Sequence, residues 1–346
     1  MSKSSLQKER APGDRRKSLY FASRYQCDTY LDEDSLRALM ARDVLRGLTS
    51  FPRFLPPRYF YDDAGVELFD QITRLPEYYL TRAECSILHA LAPVLIKNVA
   101  PVDIVELGAG GTTKIRYLLD AFKPSGREIR YIPIDISARA LEQSALELLD
   151  DYPWLTVHAI VGDFERELVR VPPPRGRRLA VFFGSTLGNL EAENRIRLLL
   201  ELRNLIGPDG QLLIGLDLVK DSRILEKAYN DSAHVTAAFN RNILLAVNRM
   251  LKANFEPEAF DHLAFYNPEY TRVEMHLVSR CEQTVRVRAI ELTVHFAPGD
   301  RIWTENCYKF TRRSVLEMFQ AASMRLCGWF EDSAGQFALA LAKVAT

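Results

Sequence analysis

Apolar residues along the chain change period several times, and each change marks a different kind of element. Between residues 34 and 48, Leu36, Met40, Val44 and Leu48 recur every fourth position with Leu39 beside them, which predicts a helix capped by Asp34. Leu55-Pro56-Pro57 then forces extended backbone ahead of Arg58-Tyr59-Phe60-Tyr61-Asp62. From residue 104 onward, short apolar runs at 104–107, 129–136, 155–161, 179–183 and 211–218 alternate with helical stretches near 115–122, 140–149 and 194–206. Strands apolar on both faces, separated by helices, belong to a parallel sheet. After Asp217 the pattern breaks. Residues 232–251 read as a long amphipathic helix with Val235, Phe239, Ile243, Val247 and Met250 in register, and 272–279 and 285–296 read as an antiparallel strand pair. The end returns to the first pattern, with a helix at 313–322 and a strand–turn–strand unit at 325–330 and 337–344. The expectation is one α/β domain interrupted by an insertion, which the N-terminal segment joins.

The 346 residues fit about two domains at roughly 150 residues each. With 47% apolar and 26% charged residues, the chain is neither disordered, collagen-like nor coiled coil. Lys+Arg 45 against Asp+Glu 45 leaves no global field to draw nucleic acid or anionic lipid, so neither nucleic acid nor a membrane is an expected partner. No apolar run approaches the ~20 residues of a membrane span. The five cysteines and six histidines show no metal-ligand spacing, which predicts a cytoplasmic protein with no metal and no disulfide framework. Residues 1–30, with Arg15-Arg16-Lys17, read as a solvated, disordered basic tail.

Gly108-Ala109-Gly110-Gly111 sits between strand and helix, where glycine lets backbone approach a ligand closely. The third glycine of a dinucleotide fingerprint would fall at Thr113, which argues against a pyrophosphate. Asp135 ends the second strand, where a carboxylate can accept from ribose hydroxyls, and Gly162-Asp163-Phe164 offers a carboxylate beside an aromatic plane. Together these point to an adenosine ligand without a phosphate chain, namely S-adenosylmethionine. The stretch after the fourth strand, Gly184-Ser185-Thr186-Leu187-Gly188-Asn189, is unlike the Pro-Pro-aromatic type of nucleic-acid methylation.

The segments Tyr59–Asp62, Phe69–Tyr79, Glu106-Leu107-Gly108, Gly162–Glu165, Gly184–Leu190, Asp217–Asp221 and Val235–Asn240 resemble the L-histidine Nα-methyltransferases of ergothioneine biosynthesis, over about residues 35–345. The resemblance implies a class I methyltransferase, Rossmann-like sheet of α/β class with a second, substrate-binding domain. It assigns 31–81 and 220–309 to the substrate-binding domain, and 82–219 with 310–346 to the S-adenosylmethionine-binding domain. It puts Gly108, Lys114, Asp135, Asp163 and Phe164 at the cofactor. Tyr61, Tyr78, Gly184, Asn189 and Tyr229 fall around the backbone of the amino acid substrate, with Tyr61 and Asn189 closest to the chemistry. Glu305 and Cys307 fall at the imidazole near Met275, in a protein expected to act as a monomer. The family pattern has serine two residues after this glutamate, where this chain has Cys307. A thiol is a weak donor and acceptor, so another amino acid such as tryptophan is an alternative substrate. A non-catalytic binding protein is the third reading.

Overall fold

The computed structural model describes residues 23–123 and 126–345. In chain order its strands are β1 (Tyr25–Thr29), β2 (Arg53–Phe54), β3 (Asp103–Leu107), β4 (Ile129–Asp135), β5 (Leu155–Val161), β6 (Arg178–Phe182), β7 (Gln211–Asp217), β8 (Phe260–Asn267), β9 (Arg272–Ser279), β10 (Gln283–Val287), β11 (Leu292–Phe296), β12 (Arg301–Tyr308), β13 (Met324–Glu331) and β14 (Phe337–Val344). Its α-helices are α1 (Glu33–Thr49), α2 (Asp63–Arg74), α3 (Tyr79–Val99), α4 (Thr113–Asp120), α5 (Ala138–Asp151), α6 (Phe164–Glu167), α7 (Ala192–Ile206), α8 (Ser222–Tyr229), α9 (Val235–Leu251) and α10 (Arg312–Ala321).

Eight strands form the larger sheet in the order β1-β5-β4-β3-β6-β7-β14-β13. The pairings from β1 through β7 are parallel, while β14 runs antiparallel to both β7 and β13. Every residue of β3 and β6 is buried, as strands covered on both faces require. Ile104 and Tyr131 pack with α3, α4 and α5 on one face, while Val105, Ile132 and Ile134 pack with α7 and α10 on the other. At the N-terminal ends of these strands, buried Asp103 holds Arg130 at 2.6 Å and Arg178 at 3.2 Å.

A second sheet, β2-β12-β9-β8, stands beside the first, with a separate hairpin of β10 and β11. Its helix α9 buries Phe239, Ile243, Leu244 and Val247 and packs against α1, α2 and β8. The chain leaves the large sheet at Asp217 and returns at Phe310. There the Phe310 N–H donates to the Asp217 carbonyl at 2.8 Å and the Val219 N–H to the Phe310 carbonyl at 3.0 Å.

Four expectations need correction. Residues 25–29, assigned to the tail, form β1, an edge strand tied to β5 by a full parallel register and by Asp28 on His158 at 2.7 Å; residues 1–22 lie outside the described ones. The first helix is capped by Asp32 rather than Asp34, since the Asp32 carboxylate accepts the Ser35 N–H at 2.8 Å. Residues 285–296 are not one strand but fold back at Arg288–Ile290 into the β10–β11 hairpin. The partners of β9 are instead β8 and β12. Among the described residues all five cysteines are free, and no helix is long and apolar enough to cross a membrane.

Candidate active site

The C-terminal ends of β3, β4 and β5 form an open cradle. Gly108 takes φ +66°, a left-handed conformation that favours glycine, and donates its N–H to the Ile134 carbonyl at 2.9 Å. A Cβ at Gly108, Gly110 or Gly111 would meet no atom within 4 Å, so the cradle has room for a ligand. Asp135 ends β4 and accepts the Ser137 N–H at 2.9 Å. Burial pushes its carboxyl up to about 6, against the pull of the Ser137 and Ile136 N–H groups. Asp163 caps α6 through the Glu165 N–H at 3.0 Å and is ion-paired with Arg58, which also lies 3.6 Å from Glu165. Phe164 stands edge-on to Phe182 with ring centres 5.2 Å apart. A glycine cradle followed by acids at the ends of the next two strands fits an adenosine ligand.

Lys114 and Gly184, assigned to cofactor and substrate, meet at one group that the sequence did not single out. Glu84 on α3 is fully buried; it pairs with Lys114 at 2.7 Å and accepts the Gly184 N–H at 3.0 Å on both oxygens.

Tyr61, Tyr78 and Tyr229 are linked through their rings. Tyr61 and Phe69 have centres 5.6 Å apart, Phe69 and Tyr78 6.2 Å, and Tyr78 and Tyr229 6.5 Å. Burial, then Glu305, Asp135 and Cys307, push the Tyr61 phenol far above its usual range. Neither the Tyr61 nor the Tyr78 hydroxyl has a hydrogen-bond partner among the described residues, so both remain available to a ligand.

Asn189 ends a 3-10 turn, Thr186–Asn189, that follows β6. A Cβ at Gly188 would lie 2.8 Å from the Tyr308 carbonyl, so only glycine lets this turn press against β12. That approach brings the Asn189 amide to the Glu305 carboxylate, to which it donates at 3.1 Å. Glu305 lies opposite Met275 in the β12–β9 register. Burial raises its carboxyl to about 7, against Lys309 and the Asn189 hydrogen bond.

Cys307 is buried, with the Tyr229 hydroxyl at 2.7 Å and the Lys309 ammonium at 3.1 Å from its sulfur. Lys309 pairs with Asp217 at 2.8 Å and not with Glu305, its sequence neighbour. Lys220 shares the same carboxylate at 2.5 Å, and Tyr79 donates to it at 2.6 Å. Although burial pushes Asp217 up, Lys309 and Lys220 hold it below the usual carboxylate range. Behind Tyr229, His262 accepts from Asn240 at 2.9 Å and donates to the Tyr229 carbonyl at 2.8 Å; burial lowers its pKa, which keeps the ring neutral. Asn240 in turn accepts from Thr304 at 2.7 Å, tying α9 to β12. Glu84, Arg58, Lys220 and the Asp217–Lys309 pair were missed by sequence reasoning. The one available signal was an acid closing the otherwise apolar run of β7.

The strand order with its single antiparallel insertion, the glycine turn after β3 and the acid ending β4 define a class I S-adenosylmethionine-dependent methyltransferase fold. Residues 40–344 match the model of the histidine-specific, SAM-dependent methyltransferases, and the chain belongs to that family. A histidine N-alpha-methyltransferase of Mycolicibacterium smegmatis is 45% identical, covering 90% of this chain and 97% of its own length. Ergothioneine biosynthesis protein 1 of Schizosaccharomyces pombe is 26% identical over 82% of this chain, which spans 38% of that longer protein. A 4-dimethylallyltryptophan N-methyltransferase of Claviceps purpurea is 28% identical over 72% of this chain and 77% of its own.

Proposed function

We propose that this protein transfers methyl groups from S-adenosylmethionine to the α-nitrogen of L-histidine, up to three in number, giving N,N,N-trimethylhistidine as in ergothioneine biosynthesis. The observation that carries the reading is the Asn189–Glu305 contact at 3.1 Å, which joins the end of β6 in the large sheet to β12 in the small one beside the Tyr61, Tyr78 and Tyr229 rings. In this reading the small sheet, with residues 31–81 and 220–309, receives the amino acid. Residues 82–219 and 310–346, joined by β1, hold the methyl donor. Five unpaired cysteines favour a reducing, cytoplasmic setting.

Gly108, Asp135 and Asp163 would hold S-adenosylmethionine, which when bound supplies a methyl carbon on a cationic sulfonium. The chain's own residues have to present a neutral amine in line with that carbon, at roughly 3 Å. An α-amine with a pKa of about 8 or higher is mostly protonated at neutral pH, and like-charge repulsion from the sulfonium favours loss of its proton. Asn189 uses one amide N–H on Glu305; its carbonyl oxygen can accept from the amine. The free hydroxyls of Tyr61 and Tyr78 can donate to the carboxylate. The aromatic faces retain partly methylated ammonium by cation–π attraction, worth about 0.5–2 kcal/mol. Glu305, ionised above about pH 7, accepts an imidazole N–H.

Cys307 supports a second reading with the same reaction on another aromatic amino acid. Its thiol is engaged by Tyr229 and Lys309, so the contact a serine would offer is weakened. Purified protein incubated with each of the twenty amino acids and labelled methyl donor separates the two by mass spectrometry. Trimethylation of histidine is expected. Label on tryptophan or another amino acid with none on histidine would overturn the first reading, and no transfer with intact donor binding would favour a binding protein.

A further inference from the structure

Lys309 and Asp217 are both fully buried. The lysine ammonium faces three acceptors: Asp217 Oδ2 at 2.8 Å, the Tyr229 hydroxyl oxygen at 2.9 Å and Cys307 Sγ at 3.1 Å. An ammonium has three N–H donors and no acceptor, so none is left for a ligand. Lys309 therefore acts on substrate only through its neighbours. Because the Tyr229 oxygen already accepts from Lys309, its own O–H is directed at the Cys307 sulfur, 2.7 Å away. That sulfur then receives both an O–H and an N–H, and its single proton has to point elsewhere.

We propose that Lys309 is a positioning residue for the methyl acceptor: by donating to the Tyr229 oxygen it fixes that phenol as a donor to the Cys307 sulfur, and so turns the Cys307 S–H into the donor that the pocket offers the acceptor's side chain. The proposal rests on the reading of the cleft as an amino acid methylation site. It gives Cys307, a weak donor, a fixed aim. The thiol is faced by Glu305 on its own strand, by Asp217 and Lys220 at the end of β7, and by Tyr229 at the end of α8. Tyr78 and Tyr79 at the start of α3 and Tyr61 after β2 are also near enough to feel its charge. Burial raises the Cys307 thiol and Glu305 and Asp217 add to that, while Lys309 opposes them; the net rise keeps the proton on sulfur at neutral pH.

Two measurements test this. The first is histidine KM and kcat for wild type, Lys309→Met and the double variant Asp217→Asn/Lys309→Met, which removes both charges of the pair. Lys309→Met is expected to raise KM about tenfold with kcat changed by less than about threefold. The double variant is expected to recover thermal stability without recovering KM. A double variant with wild-type KM means that Lys309 only balances Asp217 and overturns the proposal, and it carries this test if the single variant does not fold. The second measurement is the pH profile of Cys307 alkylation by iodoacetamide, read by peptide mass spectrometry without any amino acid present. Loss of the ammonium is expected to move the profile of Lys309→Met upward by about one pH unit, and an unmoved profile overturns the proposal. This readout needs no turnover. A shifted profile in a protein that methylates no histidine would count against the functional reading and leave the Lys309 arrangement standing.

Discussion

The Asn189 side-chain amide donates to the Glu305 carboxylate at 3.1 Å, linking the turn after β6 of one sheet to an inner strand of the other. The contact leaves the remaining Glu305 oxygen for a ligand while burial holds its carboxyl near 7. Histidine KM should therefore rise as the pH falls below about 7, where this group takes up a proton. Glu305→Gln should raise histidine KM about 10–100-fold and flatten that dependence, as loss of a charge-assisted hydrogen bond implies. Steady-state kinetics between pH 6 and 8.5 check both.

The same residue sets a stability difference of definite sign. Its folded pKa, about 7, lies above the ordinary 4.5, so the folded state binds the proton more tightly. The resulting stabilisation is present below about pH 4.5 and is lost as the pH rises through 7. Glu305→Gln should thus have a higher Tm than the parent at pH 8, with the gap closing toward pH 4.5. Calorimetry at the two ends decides it.

Tyr78→Phe removes a hydroxyl that bonds to no described residue of the protein. Stability should be unchanged while kcat/KM for the amino acid falls about tenfold, the effect of one lost hydrogen bond to a ligand. A lowered Tm with unchanged kinetics would contradict the placement.

Asp135→Asn should weaken S-adenosylmethionine binding about 10–100-fold by calorimetry, since a charged acceptor becomes a neutral amide. Wild-type affinity should fall below pH 6, where the carboxylate with its pKa of about 6 is protonated, and the variant should not follow.

Asp103 lies at the opposite ends of the strands, between Arg130 and Arg178. Asp103→Ala leaves two buried guanidiniums uncompensated and should cost about 3–5 kcal/mol in urea unfolding. At a temperature where the variant stays folded, its KM values should match the parent.

Seven strands of the large sheet were legible: β3, β4, β6 and β7 are buried on both faces, so nearly every position is under the same pressure to be apolar, while β5, β14 and the edge strand β13 kept shorter apolar runs. β1 was not, because Tyr25–Thr29 is a short edge strand whose alternating polar residues continue the character of the basic segment before it. β12 was missed for a functional reason: Thr304 and Glu305 interrupt its apolar alternation because their side chains are used for hydrogen bonds to Asn240 and Asn189. Gly108 and Asp135 could be read from position alone, at the ends of strands. Tyr61, Tyr78, Asn189, Tyr229 and Glu305 needed the family segments, since nothing in hydrophobic period distinguishes a site tyrosine from a core one. The pairing of Lys309 with Asp217 had no local signature, because the two meet only where the chain closes on itself.

That closure governs how the protein can vary. Residues 218–310 hang from the large sheet on a short stalk, since departure at Asp217 and arrival at Phe310 are stitched side by side. The span between them, with its N-terminal companion strand β2, can be recut for a different amino acid while β7 and β14 keep their register. Choice of acceptor and grip on the donor are thus mechanically separable, except at the stalk itself, where one buried lysine belongs to both.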